Sequence, residues 1–134
     1  MTTDYAPLRS NHLAKGATFH RPMQVLPERV ELDYPATYVM TDLKQVTAIT
    51  VEPDKSIDAA SRKMIKNRVR LLFVVDEHGT VLGLITATDI LGEKPLQFIQ
   101  KSGWKREDIL VGDIMTPQER LEVLCMEDIA SAKV

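Results

Sequence analysis

Between Leu71 and Leu91 the spacing of apolar residues changes twice. Leu71 to Val75 is a continuous apolar run, Asp76-Glu77-His78-Gly79 is polar, and apolar residues resume from Val81 to Ile85. Thr86-Ala87-Thr88-Asp89 then leads into Ile90 and Leu91. This order predicts a strand, a tight turn, a second strand and the start of a helix. Two threonines and an aspartate thereby arrive where a strand hands over to a helix. Backbone N–H groups at such a place lack intrahelical partners, which suits a small polar or anionic ligand.

Upstream, the β-branched stretch Val46 to Val51 reads as a strand, ended by Pro53-Asp54-Lys55-Ser56. Ile57, Ala60, Met64 and Ile65 then recur at helical spacing as an apolar stripe, with Asp54 or Ser56 as N-cap and Asp58 near the positive end of the dipole. Arg62, Lys63, Lys66, Arg68 and Arg70 lie beside and beyond that stripe; a solvated face accounts for most of them, and Arg68 or Arg70 is the cation to test against a phosphate. Downstream, Gly92-Glu93-Lys94-Pro95 interrupts the helix, Leu96 to Lys101 forms another, and Ser102-Gly103 stops it. Trp104 to Asp108 reads as a linker whose tryptophan covers an apolar edge. Residues 1–36 show no sustained period and are punctuated by Pro7, Pro22, Pro27 and Pro35, the pattern of an extended arm.

Composition narrows the function classes. The 134 residues suffice for one modest domain or a pair of small repeats. A net charge of −2 and 5% aromatic residues give neither an electrostatic footprint nor stacking rings for nucleic acid, so nucleic acid is not an expected partner. The single cysteine, Cys125, has no internal disulfide partner and sits among Val123, Leu124 and Met126, so it reads as a buried small hydrophobe in a reducing compartment. No apolar run approaches a membrane span, no signal sequence opens the chain, and a cytoplasmic location is expected. His12 and His20 lack ligand partners at metal spacing, so no metal site is expected. Asp76-Glu77-His78 has turn chemistry rather than that of a catalytic constellation, and the Walker, Cys-pair and HExxH patterns are absent; no enzyme is expected.

A shift of 75 positions lays Tyr38-Val39-Met40-Thr41 over Asp113-Ile114-Met115-Thr116 and Val46 to Val51 over Leu121 to Met126. One offset across two apolar segments marks an internal repeat, which predicts a second strand at Leu121 to Met126. The second copy stops over Ala59 of the first and has no counterpart of Leu71 to Leu91.

Together, VVDE before a glycine turn, G-L-I-T-A-T-D at Gly83 to Asp89 and D-I-M-T-P at Asp113 to Pro117 resemble the cystathionine-β-synthase (CBS) domain, whose copies pair in a Bateman module. The resemblance covers about Tyr38 to Val134. It implies an α/β (α+β) fold: a CBS-type β-α-β-β-α unit with a partial second unit, its small mixed sheet packed on helices. Residues 1–36 are then the arm, 37–103 the first unit, 104–112 the linker and 113–134 the truncated start of a second unit, completed by another chain or cut short.

The resemblance further implies an adenosyl ligand. Thr86 and Asp89 would hold its ribose or phosphate, Gly83 would allow close approach, Thr47, Ala48 and Ile49 would flank adenine, and Arg70 would meet phosphate. A carboxylate accepting two ribose hydroxyls is consistent with that chemistry. Thr86-x-x-Asp89 also has the form of a capping box, which requires no ligand. The expected function is a regulatory module binding AMP, ATP or S-adenosylmethionine, with no required cofactor. The alternative is a dimerisation or interaction module without nucleotide. Either way a homodimer is the expected assembly, because an unpaired strand at Leu121 to Met126 would seek another chain.

Overall fold

The computed structural model describes residues 9–18 and 26–134. His20, Pro7 and Pro22 therefore lie outside the described residues. Four strands form one mixed sheet in the order β1-β2-β3-β4: β1 Thr50–Val51, β2 Leu71–Val75, β3 Val81–Thr86 and β4 Thr116–Pro117. The helices are α1 Ile57–Asn67, α2 Ala87–Leu91, α3 Lys94–Ser102, α4 Val111–Ile114 and α5 Met126–Ala130.

The hairpin forms as its residue pattern predicts. Leu72 pairs with Ile85 and Val74 with Gly83, so the buried positions of both strands share one face. The turn is closed by Asp76, whose Oδ1 accepts the N–H groups of His78 and Thr80, both at 2.9 Å. Gly79 supplies the positive φ of 79° that the turn requires. The His78 imidazole lies 3.5 Å from its exposed neighbour Glu77.

Helix α1 starts at Ser56, whose hydroxyl accepts the Ala59 N–H at 3.1 Å. Ile57, Ala60 and Met64 are buried against the sheet, but Ile65 is 75% exposed and is not part of the stripe. Arg68 ends the helix in the left-handed region at φ 56°, where its own N–H reaches back to the Ile65 carbonyl. It is a C-cap, a structural use of the residue considered above for phosphate.

Three further expectations fail. The first strand is two residues long instead of six, with Val46 to Ile49 in irregular backbone. Leu121 to Cys125 is likewise irregular and runs into α5, so the repeat does not build a second strand. Val123 and Leu124 are 87% and 79% exposed, and Cys125 is exposed rather than buried. β-propensity yields a ladder only where a partner strand lies alongside, and among the described residues none faces this segment.

The stretch read as a linker is in part core. Ile109 and Val111 are fully buried, and the backbone around them bonds the loop before α1: Ile57 N–H to the Ile109 carbonyl at 3.1 Å, and Val111 N–H to that of Lys55 at 2.8 Å. Trp104, half exposed, meets Phe98 edge to face at 5.7 Å, which matches its expected place over an apolar edge. Far from the sheet, residues 34–36 bond residues 132–134 in a short antiparallel bridge.

Candidate functional site

Strand directions bring four of the expected site residues to one end of the sheet. β1 runs parallel to β2, and the Ile49 carbonyl, just ahead of β1, accepts the Phe73 N–H at 3.2 Å. β3 runs antiparallel to β2, so its last residue, Thr86, lies opposite Leu71, the first of β2. Arg70 precedes Leu71, and its carbonyl accepts the Ala87 N–H at 2.9 Å. Ile49, Arg70 and Thr86 are thereby neighbours at the sheet edge, with Asp89 one helical turn beyond. Thr47 and Ala48 lead into this edge, exposed and half-buried respectively. The Arg70 side chain is exposed and makes no ion pair among the described residues.

Thr86 and Asp89 form a complete capping box. The Thr86 hydroxyl accepts the Asp89 N–H at 3.1 Å, and Asp89 Oδ2 accepts the Thr86 N–H at 2.9 Å. With the Ala87 N–H given to Arg70, these donors are not open to a ligand, contrary to what the strand-to-helix junction suggested. What the junction offers instead is a carboxylate. Asp89 Oδ1 lies 2.7 Å from the Lys94 ammonium. Burial alone would raise the Asp89 pKa, but hydrogen bonds from Lys94 and from the Thr86 backbone and side chain hold it below the usual carboxylate value. The group is therefore ionised at neutral pH, with acceptor capacity left over, since a carboxylate has about four lone-pair sites.

Gly83 has a different use from the one the resemblance implies. It is buried in mid-β3, where a methyl group would overlap the Thr116 carbonyl of β4 and press on the Met115 sulfur. Its bare Cα lets β4 approach, so the close neighbour is this chain's own backbone.

Lys94 is the site residue that sequence reasoning missed. It stood in Gly92-Glu93-Lys94-Pro95, read only as an interruption. The break between α2 and α3 turns the chain so that the first residue of α3 faces back on Asp89. A lysine five positions after the aspartate and just before a helix-starting proline was the available signal. The ammonium also lines a cleft of about 310 Å³ between α3 and the segment Asp113 to Arg120. Neither Thr86 nor Asp89 lines that cleft. Thr86 and Asp89 are both half-buried.

Among the described residues, no three His, Cys, Asp or Glu side chains gather as metal ligands, and no helix is long and apolar enough to cross a membrane.

Against known proteins, the family model for the CBS domain matches residues 38–95. An uncharacterized protein of Methanopyrus kandleri is 33% identical over 61 residues, which is 46% of this chain and 31% of that protein. Two solved structures overlap part of the fold. A CBS-domain containing protein from Agrobacterium tumefaciens gives a TM-score of 0.47 at 27% identity, covering 61% of this chain and 55% of the other. CBSX2, solved in complex with AMP, gives 0.44 at 26% identity, covering 63% of this chain and 61% of the other. This chain thus spans about a third of that curated relative and little over half of these solved chains.

Proposed function

We propose, on the premise that residues 38–95 are a CBS domain, that this chain is a regulatory module. Its ligand is an adenine nucleotide or other adenosyl compound, and ligand binding shifts the association of the domains. One observation supports the reading: Ile49, Arg70 and Thr86 lie close in the backbone at one end of the sheet, with an ionised Asp89 one helical turn beyond. Asp89 accepts ribose hydroxyls with its remaining lone pairs, the unpaired Arg70 guanidinium takes phosphate, and Thr47 to Ile49 flank the base. A ligand that prefers one of two domain arrangements shifts their populations by that difference in affinity.

Thermal unfolding with AMP, ATP or S-adenosylmethionine, on the wild type and Asp89→Ala, tests this. At about 100 times its Kd, a ligand of the folded form adds roughly 2.7 kcal/mol of stability. The expected result is a raised Tm in the wild type and a smaller rise in the variant. If none of the three moves the wild-type Tm, the adenosyl reading falls.

A second reading, an interaction module that takes no nucleotide, has its own observation. Thr86 and Asp89 already satisfy each other's backbone donors, and Lys94 already neutralises the carboxylate.

A further inference from the structure

We propose that the cleft between α3 and the segment Asp113 to Arg120 is a separate anion site for a diphosphate group, free or carried on an organic molecule. Lys94, Gln97, Phe98 and Lys101 line one side at helical spacing, so one face of α3 presents both lysines. Arg120 faces them across the cleft. Lys101 and Arg120, together with Lys94 whose ammonium is shared with Asp89 at 2.7 Å, stand against one acidic lining residue, Asp113, whose Oδ2 is occupied by the Leu110 N–H at 2.9 Å. Lys101 and Arg120 make no ion pair among the described residues. Two cations left unpaired around a concave space, with a third that can exchange its carboxylate for a phosphate, favour a multiply charged anion, and a guanidinium beside an ammonium matches phosphate oxygens. The cleft of about 310 Å³ equals about ten water volumes at roughly 30 Å³ each, room for a diphosphate with part of its hydration. Phe98, Met115 and Pro117 give the same cleft an apolar wall for an organic carrier.

Lys94 lines the cleft and also pairs with Asp89. A diphosphate that takes its ammonium competes with Asp89 Oδ1, and the change reaches the Thr86 N–H that Asp89 Oδ2 accepts. The site stands on its own cations and does not depend on the adenosyl reading.

The test is amide NMR titration of the full chain at constant ionic strength with pyrophosphate and, separately, with uridine 5′-diphosphate, which lacks the adenine of the ligand proposed above. Saturable shifts at Lys101, Thr116 and Arg120, with a response at Thr86, are expected. Equal affinities assign the site to free diphosphate, and tighter binding of the uridine compound assigns it to a carried one. Lys101→Gln with Arg120→Gln, both exposed side chains, is expected to weaken binding about tenfold or more. Arg62→Gln with Lys66→Gln removes equal charge from exposed positions of α1 and should leave binding unchanged. Shifts that do not saturate, or an equal loss in both double variants, overturn the proposal. A thermal shift with adenosyl compounds that survives the cleft variants separates this site from the one proposed at Asp89.

Discussion

Asp89 ties the start of α2 to the first residue of α3. Its lowered pKa has a stability consequence. Because the folded-state value lies below that of the unfolded chain, about 3.9, the ionised carboxylate stabilises the fold above that pH. The contribution is lost as pH falls through the folded-state value. Urea unfolding of the wild type and Asp89→Asn between pH 7 and pH 2.5 should show a stability gap that narrows below about pH 4. A gap independent of pH would show that the Lys94 and Thr86 bonds do not favour the ionised form. Several single residues were legible before the structure: Ser56 and Gly103 as caps, Asp76 and Gly79 in the turn, and Thr86 with Asp89 as a box. Each of these acts on backbone within four positions of itself. Lys94, Ile65 and Cys125 were misjudged, because their fate depends on what packs over them from elsewhere in the chain.

The same division holds for elements. α1, β2, β3 and the α2–α3 break follow from local signals of period, cap and turn. The length of β1 does not, because only two of its residues find a ladder partner in β2. The Leu121 to Met126 strand fails for the same reason. The opposite error occurred at 104–112, where a polar-looking connection hides Ile109 and Val111 in the core. Their side chains belong to the same buried cluster as Ile57 and Leu72, while the backbone pairs with the α1 entry loop. Ile109→Ala should therefore destabilise by about 2–5 kcal/mol, as deletions of fully buried aliphatic chains do. Denaturant unfolding checks this, and a loss below about 1 kcal/mol would mean that the segment can leave the core without consequence.

For the whole molecule, the overall fold class was legible, but the repeat overstated what the second segment builds. Val123 and Leu124 remain large exposed apolar groups on irregular chain. Under the reading of an interaction module, they are the groups through which copies would associate. Sedimentation at micromolar concentration is expected to show a dimer that Val123→Asp with Leu124→Asp weakens; a wild type that sediments as a clean monomer ends that expectation. The sheet's uneven wiring has a further consequence, for how the chain finds this arrangement. β2 and β3 meet across the four-residue step from Asp76 to Thr80, whereas β3 and β4 meet only after the chain returns from Gly83 to Pro117. Closing the longer loop costs roughly 2 kcal/mol more chain entropy than closing the shorter one. Loop entropy therefore favours closing the hairpin before β4 pairs with β3.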